Sequence, residues 1–242
     1  MIHTALVTGA DHGLGLELVK RLLAAGITVF AGQFRTEEGG LASLTRQYGE
    51  RLTIVPLDIG NTDSVKAAAA IVAGQTEHLD LLLNNAGVLG DIELTVHDEL
   101  DYDEMLEVFN VNSLGPLRMI QSLLPLILKS EAKQIVNISS EAGSIGQNWR
   151  SNWFAYTMSK AALNMQSNVV YTALKESGVQ LLLVHPGWMQ TYMRGTLDAK
   201  AELTPEESAA KILRLILDRA GRDPEVRKEP EYIDVDGKPL PW

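Results

Sequence analysis

Residues 2–15 read "IHTALVTGADHGLG", and the turn they contain decides the fold. The apolar run at 2–8 is strand-sized, and its continuous centre suits a strand covered on both faces. It leads directly into a glycine turn, beyond which leucine and valine recur at helical spacing over 13–25. Gly9, Gly13 and Gly15 stand where strand gives way to helix, and glycine admits backbone geometry and close approach that a Cβ forbids. The helix start then presents unpaired N–H groups and the positive end of its dipole to an anion. A diphosphate is the ligand this pattern expects, with Asp11, His12 and Leu14 completing the loop around it. The spacing is Gly-x-x-x-Gly-x-Gly rather than Gly-x-Gly-x-x-Gly, and a tight turn without a ligand is the alternative.

Outward from this turn the same alternation continues. Strands are expected at 2–8, 27–33, 52–57, 79–84, 133–139, 179–185 and 231–235. Helices are expected at 13–25, 37–48, 61–74, 101–129, 154–176 and 204–219, with Gly115 and Pro116 dividing the fourth into two. Alternating strands and helices imply an α/β, doubly wound parallel sheet with helices on both faces. No repeat or linker interrupts the pattern, so a single domain spanning 1–242 is expected. Ligands in this architecture bind beyond the carboxyl ends of the strands, which draws attention to the loops at 86–100, 141–153, 187–203 and 221–230.

Composition excludes several functions. A net charge of −10 leaves no basic stripe for a nucleic acid. There is no cysteine, and the five histidines (3, 12, 78, 97 and 185) form no His-x-x-x-His pair, so no metal site is expected. No signal peptide and no apolar stretch of membrane-spanning length is visible, which suits a cytoplasmic protein with no membrane partner. Residues 91–104 hold seven acids and no Lys or Arg, the pattern of a solvated face or of an acidic rim.

Tyr156 and Lys160 in "YTMSK" (156–160) share one face of a helix, and a nearby cation makes a phenol more acidic. The glycine turn, "NNAG" at 84–87 and "YTMSK" follow one another along the chain. With "LDI" (57–59), "NVNSLG" (110–115), "VNISSEAG" (136–143) and "HPGWMQT" (185–191), the chain resembles the short-chain dehydrogenase/reductase family over its whole length. "HPGW" together with "DGKPLPW" (236–242) resembles the carbonyl-reductase and C-factor-like branch.

This resemblance implies a Rossmann-like domain with a seven-stranded sheet, a cofactor half at 1–110 and a catalytic and substrate half at 111–242. It also implies nicotinamide-dependent reduction of a ketone or aldehyde, in which the alkoxide must take a proton as it forms. Tyr156 is then the acid/base, and Lys160 with the bound cofactor lowers its pKa. Ser140 holds the substrate oxygen, with Ser139 the competing choice, and Asn112 anchors a proton relay, with Asn110 the competing choice. For the cofactor the resemblance implicates Asp58, Ile59, Asn85, Ala86, Gly87, Pro186, Gly187, Trp188, Met189 and Thr191 beside the glycine turn. Asp58 as a cap of the helix near Asn61 is the alternative there. Gln33 and Arg35 at the end of the second strand favour NADP(H), with NAD(H) the alternative should Glu37 or Glu38 bind the ribose hydroxyl. Trp149, Trp153, Trp188 and Tyr192 are expected to wall a small-molecule carbonyl or alcohol site, and a homodimer or homotetramer is implied. An NAD-dependent alcohol or dihydrodiol dehydrogenase and a non-catalytic cofactor sensor are the alternative functions.

Overall fold

The computed structural model describes residues 1–35, 40–220 and 227–242. In chain order the elements are β1 (Thr4–Val7), α1 (Gly13–Ala24), β2 (Thr28–Gln33), α2 (Gly40–Tyr48), β3 (Leu52–Pro56), α3 (Thr62–Ala73) and β4 (Leu81–Asn84). They continue as α4 (Tyr102–Phe109), α5 (Gly115–Lys129), β5 (Gln134–Ile138), α6 (Phe154–Leu174), β6 (Gln180–His185), α7 (Pro205–Arg219) and β7 (Glu231–Asp234). The seven strands form one parallel sheet in the order β3-β2-β1-β4-β5-β6-β7.

Leu81, Leu82 and Leu83 are buried on both sides of the sheet, which explains why the strands read as apolar runs without alternation. One core lies under α1, α2 and α7, the other under α3, α5 and α6. Strand order reverses at β1 and β4, paired with Val7 opposite Leu83, so the crevice of this topology opens at their carboxyl ends. Helix starts follow their caps: Asn61 accepts from the Asp63 and Ser64 N–H groups, and Thr204 and Glu207 form a capping box on α7.

The expected division of 101–129 is present, with α5 starting at Gly115, but proline is not its cause. Pro116 sits in the first turn of α5, where its missing N–H costs nothing, and the irregularity is a π-helical segment at Asn110–Leu114. Gly115 is needed for a different reason, since a Cβ there would meet Ile59 Cδ1 at 2.7 Å. Glu37 and Glu38 lie outside the described residues.

Candidate active site

The glycine turn is clamped to the end of β4. Thr8 Oγ accepts from the N–H groups of Asn85 and Ala86, both at 3.0 Å, while Asn85 Nδ2 donates to the Thr8 and Gly9 carbonyls. Gly9 takes φ +62° with Ala86 Cα only 2.8 Å from where a Cβ would stand. A Cβ on Gly15 would collide with the Gly9 carbonyl and with Asn85 Nδ2. A Cβ on Gly13, at φ +53°, would meet nothing within 4 Å, so the backbone there borders open space at the first turn of α1. A cradle closed by backbone on one side and open at a helix start on the other fits a diphosphate. Leu14 is buried in the core.

Asp11 bonds to the end of the second strand. Its carboxylate accepts from the Phe34 and Arg35 N–H groups at 2.9 and 3.1 Å, tying the glycine turn to the end of β2 beside Gln33. Asp58 Oδ1 accepts from the Gly60 N–H at 2.8 Å, and Asn61 rather than Asp58 caps α3. Ile59 is buried against Gly115.

Four side chains gather beyond β4 and β5. Asn112, fully buried in the π-helical segment, donates to the Val88 carbonyl and accepts from the Val88 N–H, each at 2.8 Å. Asn110 is used otherwise, donating to the Gly60 carbonyl and accepting from Arg118. Gly87 lies between the two halves of the site, where a Cβ would sit 3.2 Å from Asn112 Oδ1 and 3.7 Å from Lys160 Nζ. Lys160 Nζ donates to the Ile138 carbonyl at 2.9 Å and lies 5.6 Å from the centre of the Tyr156 ring. The two serines part as consecutive strand residues should. Ser139 Oγ donates to Asn164 inside the fold, whereas Ser140 stands close enough to Tyr156 to lower the pKa of its phenol.

Burial sets the proton affinities here. It alone pulls Lys160 down to about 8. Tyr156 is pushed up to about 12, chiefly by burial, with Glu141 and Tyr232 adding to the rise and Ser140 and Arg150 opposing it. The family resemblance implies a phenol made more acidic by Lys160 and the bound cofactor together. In the chain by itself desolvation of the phenolate outweighs every favourable neighbour.

A charged cluster lies behind Ser140, and no motif in the sequence marks it. Glu141 accepts from Ser140 Oγ at 2.9 Å and is ion-paired with Arg150, whose side chain is 6% exposed. Burial works against the Glu141 charge, but His185 and Arg150 hold the carboxyl below its usual range. Burial also keeps His185 below the ordinary histidine range. Tyr232 donates to the Ser140 carbonyl at 2.5 Å from β7.

The outer loops carry the aromatics. Trp153 is left-handed at φ +65°, caps α6, and meets the Tyr156 ring edge-on at 6.0 Å. Trp149 is exposed, stacked on Arg150. Pro186 accepts from Ser208 Oγ, and Gly187 at φ +80° lets the chain pass Leu203. Trp188 is half-exposed and donates to Asp198, Met189 pairs with Leu203, the Thr191 N–H donates to the Met189 carbonyl, and Tyr192 is exposed. The acids of 91–104 largely staple their own loop: Asp91 accepts from Glu93 and Leu94, Asp98 from Thr95, and Asp101 caps α4. Among the described residues no helix is long and apolar enough to cross a membrane, and no three acids or histidines form a metal-holding group.

The short chain dehydrogenase family profile matches residues 3–202. C-signal of Myxococcus xanthus is 36% identical over 69% of this chain and 95% of that protein. The 1-hydroxy-2-glutathionyl-2-methyl-3-butene dehydrogenase of Rhodococcus sp. (strain AD45) is 33% identical over 88% of this chain and 90% of its own length. The NADPH-bound carbonyl reductase from chicken fatty liver superposes with a TM-score of 0.87 at 33% identity, covering 100% of this chain and 99% of that one.

Proposed function

The chain belongs to the short-chain dehydrogenase family of nicotinamide-dependent oxidoreductases, and on that premise we propose that it reduces a ketone or aldehyde to an alcohol, preferring NADPH. The observation that carries this reading is the convergence of Ser140, Tyr156, Lys160 and Asn112 beside the cradle formed by the glycine turn and Gly87. When bound, the nicotinamide supplies the hydride. Tyr156 donates its proton to the substrate oxygen, and a phenol that holds its proton across the neutral range is a competent donor. Lys160 provides the adjacent cation, and Asn112 fixes Val88 and the helix beneath it.

The backbone of residues 9–15, with Asn85, Ala86 and Gly87, would hold the cofactor's phosphates and ribose; the 186–191 turn would border the nicotinamide. Neutral Gln33 and Arg35 at the end of β2 support a 2′-phosphate, since neither repels it and a guanidinium can bind it with charge-assisted bonds. The chicken carbonyl reductase binds NADPH. Trp153 and Trp188 would wall the substrate, and the exposed apolar residues Leu106, Met165 and Val169 on α4 and α6 suit a homodimer or homotetramer.

The test is turnover of a chemically diverse carbonyl panel with each cofactor. Tyr156→Phe is expected to keep cofactor binding and lose about 10²–10⁴ in kcat. Lys160→Ala is expected to weaken both. If Tyr156→Phe retained a tenth of the activity with chemistry rate-limiting, the acid/base role would be abandoned. Equal affinity for NADH, unchanged in Arg35→Ala, would remove the cofactor preference.

A further inference from the structure

Ser140 has one proton to give, and the structure shows where it goes. Ser140 Oγ donates to Glu141 Oε2 at 2.9 Å and accepts from the Ala142 N–H at 3.1 Å. The other Glu141 oxygen takes Arg150 Nη2. The guanidinium itself is packed between Trp149 and Trp153, 4.6 and 4.8 Å from their ring centres, and Trp153 in turn abuts Tyr156. A partly buried carboxylate with one oxygen on the candidate catalytic serine and the other on a nearly buried, stacked arginine gives up solvation for those two contacts. Loop closure alone would not require it, because Tyr232 already secures the Ser140 carbonyl.

We propose that Glu141 and Arg150 form a positioning pair that governs the proton held by Tyr156, Glu141 by occupying the Ser140 hydroxyl and disfavouring the phenolate, Arg150 by opposing it. The inference rests on Tyr156 being the proton donor. While Ser140 gives its proton to Glu141, it withholds from Tyr156 the hydrogen bond that would lower the phenol's pKa, and donation to the substrate oxygen falls to Tyr156. A negative charge beside the phenol keeps it protonated, which suits reduction; the arginine limits that effect so that the reverse reaction stays accessible. The other groups facing this cluster are Lys160 on α6, His185 on β6, Tyr232 and Asp234 on β7, and Arg194, whose guanidinium lies 5.3 Å from the centre of the Trp153 ring.

The two partners carry opposite charges, so the test reads signs. Alcohol oxidation needs the phenolate, and its rate climbs as pH rises through the Tyr156 pKa. With saturating oxidised cofactor, Glu141→Gln should move that climb to lower pH by roughly one unit, and Arg150→Gln should move it to higher pH by a similar amount. Arg150→Lys should restore most of the wild-type position. Glu141→Asp, which keeps the charge but draws it back, should shift less than Glu141→Gln and in the same direction. A pair that only braced the loop would, when broken from either side, displace both profiles alike or leave both in place. Either of those results overturns the proposal.

A second readout needs no turnover. The hydroxyl-bearing ring carbon of Tyr156, assigned by its disappearance in Tyr156→Phe, can be titrated by NMR in the cofactor-free protein, and the two Gln variants should split about wild type. Should Glu141→Gln fail to fold, the direction of Arg150→Gln decides alone; should both fail, an unmoved Glu141→Asp profile overturns the idea. Retained turnover in Tyr156→Phe would instead sink the underlying functional reading, so the two failures are distinguishable.

Discussion

The turn at residues 8–15 and the loop at residues 140–153 both spring from carboxyl ends of the sheet, from β1 and β5, two places apart in the strand order. The first is built from what is missing. Gly9, Gly13 and Gly15 leave room for Asn85, Ala86 and a ligand, and the turn presents backbone to its surroundings. The second is built from side chains with opposing charges, a partly buried Glu141 and a nearly buried Arg150, around a serine and a tyrosine. A backbone cradle is written locally, residue after residue, and tolerates almost no added atom. A charged cluster is assembled across distant segments, and its behaviour depends on which group wins the competition for solvation.

If the cradle is as tight as this contrast holds, the largest effect belongs to Gly15→Ala. One methyl group there drives into the Gly9 carbonyl and the Asn85 amide, neither of which is a free flexible end. A loss of about 3 kcal/mol or more in urea unfolding is expected, with cofactor affinity falling alongside. If Gly15→Ala unfolds like wild type, the cradle is looser than its geometry implies.

Next in size, and opposite in sign, is Lys160→Met. Burial holds the Lys160 pKa near 8, below its ordinary 10.5. Below about pH 8 both folded and unfolded chains carry the proton, so the folded state bears the full cost of the buried cation. Between about 8 and 10.5 the unfolded chain binds more proton, and stability rises with pH. Lys160→Met should therefore be more stable at pH 7, by on the order of 2 kcal/mol once the lost bond to Ile138 is offset, while turnover collapses. The rise in melting temperature from pH 8 to 10.5 should flatten in the variant; an unchanged slope would mean that another group carries it.

Asp11→Asn asks whether the cradle is as free of charge dependence as it looks. The amide can accept through one oxygen only, so one of the Phe34 and Arg35 bonds is lost, at about 2 kcal/mol for bonds to a charged acceptor. The preference for NADPH over NADH should narrow in direct titrations, because Arg35 loses its anchor. The smallest effect is expected at Gly13→Ala. Its Cβ meets nothing, so only the left-handed backbone resists, at about 1 kcal/mol. Comparing it with Gly15→Ala in the same unfolding assay separates conformational strain from collision.

Much of this protein is legible without coordinates because its signals are local. The buried strand of leucines at 81–83 and the Tyr-x-x-x-Lys face each depend on residues within one or two turns. The cause of the break before Gly115 shows the limit. Proline tolerates a first helical turn, and only the pairing of Asn112 with Val88 reveals where the helix actually widens. Ser139 and Ser140 are equivalent letters until Asn164, 25 residues away, claims the first of them.

The order of strands and helices, the glycine turn and the candidate proton donor can all be read along the chain, as consequences of periodicity and of where a Cβ cannot fit. The company each buried group keeps comes only from the packed fold. Glu141 and Arg150 are ordinary surface letters until the fold removes water from them, and Tyr156 is an ordinary phenol until burial lifts its pKa to about 12. Desolvation is a property of the whole packed chain, and no short stretch of sequence encodes it.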